Sequence, residues 1–286
     1  MSSILKELID KLAHEGRSNL HRNLSILWIC YKGLNPKPAS GFGGSWSPNK
    51  LVYPASVVKL FYACAVEAWL NRDLLVDSLE LRRAQADMIQ DSSNDATSYV
   101  IDMLTGTTSG PSLEGPRWEC WKQQRNLIND WLNSLQCSEF ESINCSQKTF
   151  SNGPYGRDKD FYGEKNKNRN ALSVLSTAKM LEGIMTNDLL PFKASKRLRD
   201  LLLRSLEIGK RKLDPENQID GFLGEGLPKE TKLWSKAGLM SEARHDAAWF
   251  HTPKGNTMLL VVFCEGKILA KDEKILLYFR KKELLL

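Results

Sequence analysis

Apolar positions open the chain at helical spacing. Ile4, Leu5, Leu8, Ile9 and Leu12 fall on one face and predict an amphipathic helix over residues 3–14. The pattern then shortens to a β-rich run, LSILWICY at Leu24–Tyr31, which predicts a strand ending at Lys32-Gly33. A Gly/Pro/Ser-rich stretch over residues 33–48 predicts a turn before a second extended segment at residues 51–53. From Ser56 the run SVVKLFYACAVEAWL has helix length, and Pro54 stands just ahead of it, where proline is tolerated. Helical or loop character continues to about Leu206. Two Gly/Pro/Asn-rich loops interrupt it, at residues 105–115 and 151–170, and the second carries too many charges and glycines to bury. The tail returns to β: residues 232–237, 246–250 and 258–264 read as short strands, and residues 271–285 as a closing amphipathic helix.

Strands at both ends of the sequence therefore flank a helical middle, with a helix at each terminus. The expected fold is α/β of the α+β kind, one antiparallel sheet covered by the terminal helices with an inserted all-helical lobe. Residues 1–55 and 207–286 form the expected sheet lobe and residues 56–206 the mainly helical one. Together they are expected to make one catalytic unit with its cleft between the lobes.

Composition narrows the function classes. The 286 residues hold 40 Lys+Arg against 34 Asp+Glu, with 42% hydrophobic and 26% charged, which excludes a disordered, collagenous or coiled-coil chain. The longest apolar run, residues 258–264, is strand-sized and well short of the roughly 18 residues a membrane helix requires. Charges among the first apolar residues exclude a signal-peptide core, so a complete chain of this sequence is expected in the cytoplasm. Six cysteines form no CxxC and no zinc-ligand spacing, and Cys30, Cys64 and Cys264 sit in apolar segments as small core residues. No metal or other cofactor is expected. Basic clusters at residues 193–199, 210–212 and 280–282 lie on or beside helical patterns and read as solvated faces, not a nucleic-acid footprint. The expected partner is a small-molecule substrate, with no nucleic acid and no membrane.

Serine is a poor nucleophile until a base takes its proton. A lysine three residues on along a helix returns to the same face, and Ser56 and Lys59 have that spacing. So do Ser3/Lys6, Ser47/Lys50 and Ser176/Lys179, which makes the spacing alone weak. Only Ser56 combines an upstream strand, a proline and a long apolar helix, and it stands where helix amides stabilise developing negative charge. Two further elements follow. Ser92-Ser93-Asn94 falls at a break between two helical patterns, where an N-cap would by itself explain it. Lys236-Ala237-Gly238 lies on a strand-like segment and is the chain's only Lys-x-Gly.

Taken together, Ser56-Val-Val-Lys59, Ser92-Ser-Asn94 and Lys236-Ala-Gly238 resemble the SxxK, SxN and KxG motifs of the penicillin-recognising serine hydrolases, nearest to the class A β-lactamases. The resemblance implies a β-lactamase/transpeptidase-like fold and an acyl-enzyme on Ser56, with Lys59 exchanging its proton. Ser92 would pass a proton to the leaving nitrogen, and Asn94 would bind the substrate's amide side chain. Lys236 would hold Ser92 and a substrate carboxylate, with Arg244 assisting at the carboxylate. The backbone amides of Ser56 and Leu239 would form the oxyanion hole beside Gly238. Lys59, on an apolar helix and with Lys236 nearby in this arrangement, has two reasons for a lowered pKa, desolvation and a like charge.

The departures from the family pattern are specific. Ser93 replaces the usual aspartate, and Ala237 replaces a Thr or Ser whose hydroxyl would contribute about 1.5–3 kcal/mol to a charged group. No E-x-x-L-N segment supplies a glutamate for deacylating water; Asp158 is the nearer candidate in residues 151–170 and Glu164 the other, and either also reads as a solvated loop charge. The expected function is a serine hydrolase acting on an amide, lactam or ester. A cytosolic esterase or amidase, a D,D-peptidase-like enzyme, and a non-catalytic penicillin-binding-type protein are the alternatives.

Overall fold

The computed structural model describes residues 2–17, 19–214 and 216–279. The chain forms two compact units, residues 1–57 with 173–286 and residues 58–172. The first unit opens with α1 (Ser2–His14), a single turn α2 (Leu20–Asn23), β1 (Leu24–Tyr31) and β2 (Phe42–Trp46). The second unit follows with α3 (Lys59–Asn71), α4 (Leu79–Gln90), α5 (Asn94–Thr105), α6 (Gly115–Arg125), α7 (Leu127–Ser134) and α8 (Gly156–Tyr162). The chain then returns to the first unit through α9 (Val174–Thr186), α10 (Phe192–Leu202), β3 (Leu203–Arg204) and α11 (Ile208–Leu213). It closes with β4 (Lys232–Met240), β5 (Ala243–His251), β6 (Thr257–Glu265), α12 (Lys267–Lys271) and α13 (Ile275–Tyr278).

Among the described residues, six strands form one sheet in the order β2-β1-β6-β5-β4-β3, antiparallel throughout. One face packs Ile26, Leu260, Val262, Ala248 and Phe250 against Leu5, Ile9 and Leu12 of α1 and Ile275 and Leu276 of α13. The other face is covered by α9, which lies against β1, β5 and β6. Coverage on both sides explains why β6 is buried along almost its whole length and reads as a continuous apolar run.

Four details differ from the sequence expectation. The strand beside β1 is Phe42–Trp46, inside the stretch read as a turn, and residues 51–53 make no strand. Glycine is what admits it: a Cβ on Gly43 would lie 1.8 Å from the Trp28 carbonyl oxygen. Second, α9 and α10 belong with the sheet, so the boundary expected near residue 206 falls at 172/173. Third, β3 forms where only helix or loop was expected. Fourth, the closing helix is split: Asp272 accepts from Lys274 N at 3.0 Å and from Arg17 Nε at 2.8 Å, ending α12 before α13 begins. Residues 280–286, with the basic cluster 280–282 and the end of that predicted helix, lie outside the described residues.

In the second unit α3 is buried from Lys59 to Trp69 and packs against α4, α5 and α7. A helix apolar on every side is a core helix, which fits its sequence. The charged segment 151–170 is folded rather than open. Asn170 accepts from Ser146 N and Gln147 N, and Arg157 Nε donates to Pro111 O at 3.0 Å. Among the described residues, no helix is long and apolar enough to cross a membrane.

Candidate active site

Ser56 stands in a 3-10 turn, Ala55–Val58, that runs directly into α3. The residue before it, Ala55, has φ +47, a strained conformation for a residue with a Cβ and one that persists only where the surroundings enforce it. The enforcing contact comes from β4. A Cβ on Gly238 would lie 2.8 Å from Pro54 O and 3.1 Å from Ser56 N, so only glycine lets the strand approach the turn this closely. The turn is tied down a second time by His245, whose Nε2 donates to Tyr53 O at 3.0 Å while Nδ1 accepts from Cys264 N at 3.1 Å. Burial depresses the His245 pKa to about 4, so the ring stays neutral and serves as a strut. That role leaves no mark in the sequence, because a histidine inside an apolar strand looks the same whatever it bonds to.

Gly238→Ala should push β4 off the turn by several tenths of an ångström. Misplacement on that scale lowers the rate of covalent labelling at Ser56 by about 10- to 100-fold with the fold intact. Timed labelling with a fluorophosphonate, alongside a circular dichroism spectrum, checks this.

Two residues before Gly238, Lys236 is buried, with Nζ donating to Gln218 Oε1 at 2.5 Å and to Ala237 O at 2.9 Å. The same Gln218 oxygen accepts from Ala237 N at 3.1 Å. Asp246 is the register partner of Ala237 and is wholly buried. Desolvation raises its pKa to about 7, against the opposing pull of Leu223 N, Arg204 and Lys236. Arg244, partner of the exposed Leu239 in the same register, is buried: Nε donates to Ala270 O and Nη1 to Gly221 O, both at 2.9 Å. Gln218 and Asp246 escaped the sequence reading because a lone amide in a polar loop and a lone acid in a strand carry no motif.

In the second unit Lys59, the first residue of α3, is completely buried. Its Nζ donates to Asn94 Oδ1 at 2.8 Å, to Ser92 O, and more loosely to Ser92 Oγ at 3.3 Å. Burial lowers its pKa to about 7. Desolvation alone accounts for that shift, where the sequence reading expected a second contribution from Lys236. The triplet divides its work: Ser93 Oγ accepts from Ala96 N at 3.1 Å and caps α5, leaving Ser92 and Asn94 for the lysine. Asn94 Nδ2 also donates to Ser151 Oγ at 3.2 Å. An aspartate at position 93 would cap equally well, which is why serine there does not disturb the geometry.

The two carboxylates considered for activating water differ in their surroundings. Asp158, on α8, is buried in an ion pair with Arg125, Oδ1 to Nη2 at 3.0 Å. That pair ties α8 to α6. Glu164 is exposed on the 3-10 turn Glu164–Asn166. The structure thus brings Lys59, Ser92 and Asn94 together in one unit, and Ser56, Gly238, Lys236 and Ala237 in the other. What these groups offer chemically is a hydroxyl in a turn that leads into a helix, and an amine poised to be neutral near pH 7.

A sequence model of the beta-lactamase enzyme family matches residues 72–277, a span that includes Ser92–Asn94 and Lys236–Gly238. No curated protein matches the chain in sequence. Among solved structures, a beta-lactamase from Chitinophaga pinensis is 16% identical with a TM-score of 0.65, over 96% of this chain and 97% of that one. The TLA-3 extended-spectrum beta-lactamase is 14% identical with a TM-score of 0.65, over 98% of this chain and 100% of that one. PBP-A is 15% identical with a TM-score of 0.60, over 96% and 95%. At these identities the likeness is one of fold.

Proposed function

This chain belongs to the beta-lactamase enzyme family, and we propose on that premise that it is a serine acyl hydrolase forming an acyl-enzyme on Ser56 with an amide, lactam or ester. The observation that carries the reading is Lys59: a buried amine with its pKa near 7, held between Ser92 and Asn94, has the basicity to take a serine proton at neutral pH. Neutral Lys59 takes the Ser56 proton as Oγ attacks, and the amides of Ser56 and Leu239 receive the oxyanion. Ser92 hands a proton from Lys59 to the leaving nitrogen or oxygen, and Asn94 positions both the lysine and the substrate's amide. With Asp158 taken up by Arg125, Lys59 itself is the base assigned to the water that releases the acyl group. A PBP-A variant of similar fold is an acyl-enzyme complex with penicillin-G, the kind of adduct expected here.

Intact-mass measurement after incubation with penicillin-G and, separately, a fluorophosphonate tests the proposal. The expected result is one adduct on Ser56, absent from Ser56→Ala. Labelling that persists in Ser56→Ala overturns it. A long-lived adduct identifies acylation without fast turnover, and rapid hydrolysis of a chromogenic cephalosporin identifies a lactamase.

A further inference from the structure

An anionic group on a ligand needs a cation or an N–H that the protein is not already using, because it must replace the hydration it gives up. Cations on or beside β4 include Lys236, Arg204 and Arg244. Each is engaged from within the first unit. Lys236 Nζ holds Gln218 Oε1 and Ala237 O. Arg244 holds the carbonyls of Gly221 and Ala270. Arg204 donates through Nε and Nη2 to Ser235 O at 3.2 and 3.0 Å.

The strand's own amide is taken as well. Pairing with β3 covers only Leu233 and Trp234, and the amide of Ala237 beyond it is bonded to Gln218 Oε1. One uncharged oxygen therefore bridges the ammonium of Lys236 and the edge amide of Ala237, as a carboxylate oxygen would. Ala237 supplies no hydroxyl that could hold an anion beside it.

We propose that Gln218 is a built-in stand-in for a substrate carboxylate, and that the substrate is uncharged beside the scissile carbonyl: a neutral ester or amide. This rests on the acyl-hydrolase reading and replaces the carboxylate-bearing substrate expected from the sequence. An incoming carboxylate must displace Gln218 to reach Lys236, whereas a neutral group meets a surface whose donors are already bonded.

Penicillin-G and its methyl ester differ only at the carboxylate and serve as the probes. Acylation of Ser56 is timed in the wild type, Gln218→Ala and Gln218→Glu. Equilibrium binding of both probes to Ser56→Ala is measured by calorimetry. The expected result is an ester-over-acid preference of about tenfold in the wild type, the size of one hydrogen bond to a charged group. That preference shrinks or inverts in Gln218→Ala, which uncovers Lys236 and the Ala237 amide. It persists in Gln218→Glu, which keeps the shape and adds a charge, so the comparison survives if the alanine variant fails to fold. An acid bound or acylated as well as the ester, binding of neither, or a preference unchanged in Gln218→Ala overturns the proposal. Absence of any Ser56 adduct overturns only the hydrolase reading, since the binding order to Ser56→Ala still decides the role of Gln218.

Discussion

Lys59→Met lowers the rate of Ser56 acylation by about 10²–10⁴-fold, the range expected when a positioned base is lost. Methionine fills the same tunnel between Ser92 and Asn94 without the nitrogen, so the loss reports on proton transfer and not on a cavity. In the wild type the acylation rate falls as pH drops below about 7, because the depressed lysine is then protonated and has no lone pair. The acid limb disappears in Lys59→Met along with the activity. Stability moves in a defined direction too. An unfolded lysine holds its proton to about pH 10.5, whereas the folded one releases it near 7, so the unfolded state binds more protons between those values and stability rises with pH across that window. Urea titrations at pH 7 and pH 9.5 should show the wild type gaining on Lys59→Met. Equal gains for the two proteins would mean that the buried amine is not the titrating group.

Arg125→Met destabilises the protein by about 3–5 kcal/mol, more than an ordinary core substitution, because it strands the Asp158 carboxylate without its cation. Both side chains are buried, and Arg125 Nε and Nη1 and Asp158 Oδ2 find no hydrogen-bond partner. The guanidinium lies 4.4 Å from the Trp121 ring centroid, a contact that methionine's sulfur and methylenes partly retain. Joining Arg125→Met to Asp158→Leu should restore most of the loss, since a buried ion pair contributes little over well-packed apolar groups of similar volume. Urea unfolding of the wild type, both single variants and the double variant gives the coupling directly. A double variant as unstable as the singles would show that packing around Trp121, rather than charge, is what the arginine supplies.

Much of this molecule was readable from residue order. Periodicity alone located α1, β1, α3 and the three strands near the C-terminus, because each is long, strongly patterned and buried in the way its pattern requires. The failures were local. FGGSW reads as a turn by composition, and it is a strand only because Gly43 lets the neighbouring backbone of Trp28 come within reach. The allocation of α9 to the sheet depends on which apolar stripe finds which surface, and a stripe does not say so. Of the candidate site residues, Ser56, Lys59, Ser92, Asn94, Lys236 and Gly238 stand out in the sequence through motifs with fixed spacing. Gln218, His245 and Asp246 act through bonds to backbone atoms far away in sequence, and such bonds leave no local mark. Arg125 likewise became visible only as the counter-ion of Asp158.

The split of the first unit in sequence also sets an order of events during synthesis. Residues 58–172 form one continuous stretch of chain, so the second unit can fold as soon as it has emerged. The sheet has no such freedom: Leu24 pairs with Cys264, and β1 stays without its inner neighbour until β6 has been made. During that interval β1 has only β2 beside it and its other edge stays open, so an apolar strand edge is exposed on the nascent chain.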